Sequence, residues 1–197
     1  MRKIKLLALL LALLCISMSL VGCSEKITVE EIKEELPSLV EESKILNEIY
    51  FGEGFKVDGS ISDVKANGGY FYCDCTELKL YSISDIKDLT EQMFTKEYAA
   101  VLYEAAFEGV TTDTSVEPPR YIEGEQGLMQ KAADTIYSLP KREFDYNSVR
   151  VKKRSGNIVT FFINTSVDGV MSDTLTLILV REGSEGNYSY RLDSPTY

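Results

Sequence analysis

The sequence predicts an α+β domain in which N-terminal helices pack on a curved antiparallel β-sheet, and three observations carry that prediction. Apolar residues recur at helical spacing through residues 28–50 and again through 86–105. The last third instead alternates apolar with polar positions, the side-chain period of a strand. Short turn signals separate these strand-like runs, and short turns force antiparallel neighbours. Helices first and a sheet after, each with one apolar face, bury those faces by stacking in layers.

The chain opens with a basic stretch, Met1-Arg2-Lys3-Ile4-Lys5, followed by an apolar run over 6–15 and small residues up to Gly22-Cys23. That is the three-part pattern of a secretory signal. Its uncharged stretch, 6–22, has 17 residues, the low limit for a membrane span, so length alone leaves a retained helix open. Leu20-Val21-Gly22-Cys23 looks like a bacterial lipobox, in which the Cys is lipidated and becomes the first residue. Residues 1–22 are therefore expected to be a lipoprotein signal peptide and 23–27 a lipidated N-terminus and short tether. Residues 28–197 are expected to form a single α+β domain. By resemblance to lipoproteins, Cys23 would carry a diacylglyceryl thioether. Two acyl chains give stable anchoring where one is marginal.

Within the domain, Val29, Ile32, Leu36, Leu39, Val40, Leu46 and Tyr50 form one helical stripe that also contains Ser43, and Thr28 with Glu31 has the capping-box spacing. Pro37 falls inside, but the stripe keeps its phase across it, which predicts one kinked helix. A turn-rich segment with Gly52-Glu53-Gly54 and Asn67-Gly68-Gly69 follows, then a strand over 70–76 and a shorter one over 78–81. Ile86, Leu89 and Met93 mark one helical stripe, and Phe94, Tyr98, Val101, Leu102 and Ala105 another in shifted phase. With Thr95 as a cap, two short helices end before Gly109. Pro118-Pro119 closes an exposed, non-helical connection over 111–117. Residues 127–139 fit a helical stripe through Leu128, Met129, Ala132, Ala133, Ile136 and Leu139. They fit equally the return strand of a hairpin begun by Arg120-Tyr121-Ile122-Glu123. From Val149 onward the chain reads as a meander, with hairpin links at Ser155-Gly156-Asn157, Asp168-Gly169 and Gly183-Ser184-Glu185-Gly186.

Composition narrows the function. The chain has no His, which removes His-based triads, His-ligated zinc and His pH switches together. Its net charge is −10, and −13 without residues 1–22, which carry Arg2, Lys3 and Lys5 and no acid. Nucleic acid is excluded as a partner, because phosphate binding needs a basic footprint. No dinucleotide, Walker, nucleophile-elbow, zincin or calcium-loop pattern is present, and neither a cofactor, a metal nor an enzymatic activity is expected. Beyond Cys23, the remaining thiols of the domain sit in Phe71-Tyr72-Cys73-Asp74-Cys75. In a regular strand their α-carbons would be about 6.6 Å apart with parallel side chains, poor geometry for a disulfide. Their role is open between small-residue packing beside Phe71 and a redox or metal function. The 12 Tyr suggest a partner surface of Tyr70, Tyr72, Tyr103 and Tyr121: the first two face away from the two Cys in a regular strand and the last two would line a concave sheet, although core packing explains the same residues.

Ser84-Asp85-Ile86-Lys87-Asp88-Leu89, Met93-Phe94-Thr95-Lys96-Glu97-Tyr98-Ala99, Arg120-Tyr121-Ile122-Glu123 and the ending Arg191-Leu192-Asp193-Ser194-Pro195-Thr196-Tyr197 resemble small extracytoplasmic lipoproteins of Gram-positive bacteria. Some of these are grouped with the DL-endopeptidase inhibitor (IseA-like) family. The resemblance, which spans residues 49–197, implies a cystatin-like or nuclear-transport-factor-2-like fold and favours the hairpin at 127–139. It further implies a cell-wall peptidase as the inhibited partner. The chain departs from that pattern at Tyr190, where many relatives carry Trp, and in its Cys73–Cys75 pair. The expected protein is thus a monomeric, membrane-anchored and non-catalytic inhibitor. The alternative is a ligand- or glycan-binding module with a pocket between helices and sheet.

Overall fold

Helix α1 (Val29–Phe51) begins where the capping box places it, with the Glu31 amide donating to Thr28 Oγ1 at 3.1 Å and the Thr28 amide to Glu31 Oε2 at 2.7 Å. A computed structural model describes residues 26–197 except 112, 113, 136 and 137, with residue 172 in its backbone only. The expected signal 1–22 and the lipidation candidate Cys23 lie outside the described residues. No described helix is long and apolar enough to cross a membrane. Pro37 sits inside α1, which continues through it as one helix. The buried face runs from Ile32 through Leu36, Leu39, Val40 and Leu46 to Ile49 and Tyr50, as the stripe predicts.

The turn-rich segment holds two short elements that periodicity does not reveal, β1 (Lys56–Asp58) and α2 (Ile61–Ala66), the latter capped by Ser60 and Asp63. Strand β2 (Tyr70–Asp74) stops two residues earlier than expected, and residues 78–81 are not a strand. Asp74 Oδ1 accepts from the Thr76 amide at 3.0 Å, the Lys79 amide bonds to Cys75 O at 2.8 Å, and Lys79 has φ +56. A residue held in the left-handed region breaks the extended ladder. Helices α3 (Ile83–Met93) and α4 (Lys96–Tyr103) form the expected pair, capped by Ser82 and Thr95. One π turn, Glu104–Glu108, extends α4 to Gly109, whose φ is +78. A Cβ there would lie 2.6 Å from Glu117 O, so only glycine fits.

Residues on either side of the exposed connection pair as a small ribbon, β3 (Val110–Thr111) with β4 (Val116–Glu117). The ambiguous segment is a hairpin in its first half, β5 (Tyr121–Gly124) with β6 (Gly127–Lys131), followed by a single 3₁₀ turn at Ala132–Asp134. The final third is the predicted meander of β7 (Arg142–Ser155), β8 (Ile158–Val167), β9 (Val170–Ser184) and β10 (Asn187–Leu192). Asp168 and Gly169 both have positive φ at the tight β8–β9 turn.

The architecture is α+β, but there are two four-stranded antiparallel sheets where one was expected, ordered β1-β2-β6-β5 and β10-β9-β8-β7. The first sheet depends on pairing β2 with the distant β6, a contact that no local pattern encodes. The core packs α1 against Val159, Phe161, Ile163, Leu177 and Leu179 of the second sheet and reaches the first through Phe55, Tyr121 and Leu128. These side chains fill the space between α1 and the second sheet.

The last residues tie the layers together. The Thr95 amide donates to Leu192 O at 2.9 Å, and Thr196 Oγ1 accepts from Asn47 Nδ2 at 2.9 Å and lies 2.7 Å from Ser43 Oγ. Ser43 therefore belongs to the buried stripe because it has a polar partner there.

Candidate functional site

The four candidate tyrosines do not form one concave surface. Tyr121 is fully enclosed, its ring against Phe55 and Phe107 and its hydroxyl donating to Ile49 O at 2.7 Å. Tyr70 is buried too and donates to Pro119 O at 2.7 Å. Tyr103 is half-buried beside Phe107, with Lys87 Nζ 4.8 Å from its ring centroid and its hydroxyl donating to Lys87 O at 3.1 Å. Tyr72 lines a different hollow. Burial holds the Tyr103 and Tyr121 phenols above their ordinary range, so both stay un-ionised near neutral pH. Three of the four are packing residues, because each ring's apolar area outweighs its single hydroxyl once that hydroxyl finds a carbonyl.

Two of these contacts belong to a larger device. The last turn of α1 contains no basic residue, and the carbonyls there and in the Gly52-Glu53 segment that follows need donors. Side chains from the β5–β6 hairpin region supply them. Tyr121 reaches Ile49 O, Arg120 Nη2 donates to Gly52 O, and Gln130 Nε2 donates to Glu53 O at 2.6 Å. The Phe55 amide returns a bond to Gln130 Oε1 at 2.9 Å. Gly54, at φ +78, lies so close that a Cβ would come within 2.4 Å of Gln130 Oε1. This lock fixes the end of α1 against the first sheet and brings Arg120 to the surface of a groove.

That groove, of about 510 Å³, lies among α4 with its π turn, the β3–β4 ribbon and the C-terminal tail. Its apolar lining includes Tyr50, Tyr98, Leu102 and Ala106, together with Phe51 and Tyr197, whose rings stack at 4.1 Å. Val101 is 65% exposed here, and Tyr197 is 42% exposed. The polar lining is a chain of charges. Asp134 Oδ2 lies 3.8 Å from Arg120 Nη1 and 3.4 Å from Lys131 Nζ, which is also 3.4 Å from Glu117 Oε1. Arg120 and Asp134 are nearly enclosed, which strengthens their attraction relative to a surface pair. Burial pushes the Tyr98 phenol up to about 12, so it stays a neutral hydrogen-bonding group in this lining. An apolar trough ending in ordered charges suits a segment with a hydrophobic side chain and a polar backbone.

The second hollow, about 750 Å³, is lined by Tyr72, Cys73, Cys75 and Tyr81 with Lys56 and Leu128. Both cysteines are free thiols, and Cys75 Sγ donates to Cys73 O at 3.7 Å. Burial pushes Cys73 up to about 12 and also raises Cys75, where Asp74 adds to the effect. Thiols so held are poor nucleophiles and poor ligands near neutral pH. Cys75 belongs to the core and Cys73 packs against it. Among the described residues, no three of Cys, Asp and Glu converge as a metal site.

Sequence reading missed Arg120, Lys131, Asp134 and Val101 as site residues. Only the Pro118-Pro119 pair ahead of Arg120 marks the place, and it shows a rigid turn without indicating what the turn presents. No protein-family model, curated protein or solved structure matches the chain.

Proposed function

We propose that the protein is a non-catalytic binding domain, anchored by lipid on Cys23 to the extracytoplasmic face of the membrane, that captures and inhibits a cell-wall peptidase of the DL-endopeptidase type. The observation that carries this reading is the groove, where an exposed Val101 and a stacked Tyr197 stand beside the Arg120–Asp134–Lys131–Glu117 chain. Exposed apolar groups in a concave setting gain most from a partner that removes them from water. The acidic surface supports the choice of partner, since it attracts basic wall enzymes and is repelled by anionic wall polymers. The peptidase class comes from the family resemblance, and with it a cystatin-like or nuclear-transport-factor-2-like arrangement of the α+β layers.

The test is inhibition of a panel of cell-wall endopeptidases by the chain from residue 23 onward carrying Cys23→Ser. Val101→Asp should weaken binding about tenfold or more, with an unchanged melting temperature because the side chain stands largely in water. Absence of both inhibition and binding at micromolar concentration removes the reading. A small ligand or glycan in the same groove is the second reading, favoured by a volume within the usual ligand range. Calorimetric binding of a cell-wall fragment without enzyme inhibition would select it.

A further inference from the structure

In a domain with a large excess of acid, four basic residues fall in five consecutive positions of β7, Arg150-Val151-Lys152-Lys153-Arg154. Val151 packs against the core, whereas the four basic side chains are exposed. Arg150 and Lys153 stand opposite Phe162 and Thr160, on the sheet face away from the buried Phe161 and Val159; Lys152 sits at a register shift between them, and Arg154 stands opposite Val159, on the other face. Lys152 Nζ lies 5.1 Å over the Phe162 ring, and Arg150 Nη2 donates to Asn164 Oδ1 at 3.4 Å. Among the described residues none of the four forms an ion pair, although carboxylates pair with Lys44, Lys56, Arg142, Arg181 and Arg191 elsewhere. Nearby, Glu31 is engaged by Arg181 and Tyr190, which leaves Glu30 and Glu34 as the exposed acids on the first turns of α1.

This edge is also where the tether enters. Arg154 Nε donates to Ile27 O at 2.8 Å. Ile27 is four positions from Cys23, a reach of at most about 14 Å. Acyl chains on Cys23 would thus enter the bilayer within a short span of the basic strand, close to the range over which a charged lipid surface acts. Helix α1 climbs about 32 Å from Val29 to Tyr50 at its regular rise. Its far end meets the opposite end of β7, where Lys44 and Asn47 share a hollow with Arg142 and Phe144. The groove beside Tyr50 and Phe51 therefore lies at the end remote from the tether.

We infer that Arg150, Lys152 and Lys153 of β7, with Arg154 beside them where the tether enters, dock on anionic phospholipid headgroups and hold the domain with its groove turned away from the membrane. The orientation rests on Cys23 being the anchor; the lipid contact does not. Lipid-free chain from residue 23 with Cys23→Ser is a fair probe, because the core consists of residues from Ile27 to Leu192. It should sediment with phosphatidylglycerol–phosphatidylcholine vesicles at low salt, release as salt rises, and ignore pure phosphatidylcholine. The pair Lys152→Glu and Lys153→Glu should weaken that binding at least about tenfold, given the usual share of each basic residue in surface attraction. Reversal of the exposed Lys65 and Lys79 should leave it in place. Absence of vesicle binding overturns the proposal, as does equal loss in the two double variants. Equally tight binding to soluble polyphosphate at matched phosphate concentration also overturns it, because the edge would then read a wall polymer. Failure of anchoring is scored separately, by whether the Cys23→Ser chain leaves the cell membrane fraction while its vesicle binding persists.

Discussion

Replacing Gln130 with leucine tests the lock that joins α1 to the first sheet. Gln130 is fully buried and makes two hydrogen bonds at once, to Glu53 O at 2.6 Å and from the Phe55 amide at 2.9 Å. Leucine has nearly the same volume, so packing changes little and the loss is confined to two backbone groups without partners. Phe55 is itself buried, and its orphaned amide would cost about 1–3 kcal/mol. Glu53 is exposed and its carbonyl only partly shielded, which places its cost near the low end, about 1 kcal/mol. The expected total is roughly 2–4 kcal/mol, or a fall in melting temperature of about 5–15 °C for a domain of this size. Urea denaturation followed by circular dichroism measures it, with Gln126→Leu in the exposed β5–β6 turn as a control expected within about 0.5 kcal/mol. Amide exchange at Phe55 should accelerate in Gln130→Leu alone. A loss below about 1 kcal/mol, or equal losses in both variants, would refute the assignment of these bonds as the fastening of the helix end.

The other expectations concern charge and thiols. Burial acts to raise the Glu31 carboxyl, but the Thr28 amide, the Tyr190 and Thr28 hydroxyls and Arg181 outweigh it and leave it below its ordinary value of 4.5. A carboxyl depressed by folding stabilises above its unfolded value, and that stabilisation fades as pH falls through the folded one. Glu31→Gln should therefore be less stable than the parent chain at neutral pH, and melting curves of the two should approach each other as pH falls below the unfolded carboxyl's value and through the lower folded one. In the chain with Cys23→Ser, Cys73 and Cys75 should react slowly with an aromatic disulfide at pH 8 and promptly after unfolding, because Cys73 is pushed up to about 12 and little thiolate exists in the fold. Prompt reaction in the native state would contradict the buried placement.

Elements governed by neighbours in sequence were legible. The capping box at Thr28, the phase break at Thr95 and the Asp168-Gly169 turn are local signals, and each marks a boundary that the structure keeps. The first sheet was illegible for the opposite reason. β1 and β2 are short, and β2 finds its partner only in β6, so pairing is decided by tertiary packing. Residues 78–81 show the same override in reverse, with apolar alternation defeated by the Asp74–Thr76 turn. The tyrosines misled because one residue type serves both interior and interface, and the sequence does not say which way a ring faces. The groove was hidden because its lining comes from five stretches far apart in the chain, including the tail at Tyr197.

The tail has a consequence for biogenesis. Ser43 and Asn47 sit in the interior face of the first helix, and both bond to Thr196, at sequence separations of 153 and 149. In a chain emerging N-terminus first, α1 can form early, yet it carries polar groups in its apolar stripe before Thr196 is in place. Until then Asn47 lacks this acceptor, Ser43 keeps only its bond to Val40 O at 2.8 Å, and the Phe51 ring lacks its Tyr197 cover. The helix is therefore finished from beyond β10, and loss of Thr196 and Tyr197 would open the fold at this seam and expose it to proteolysis there.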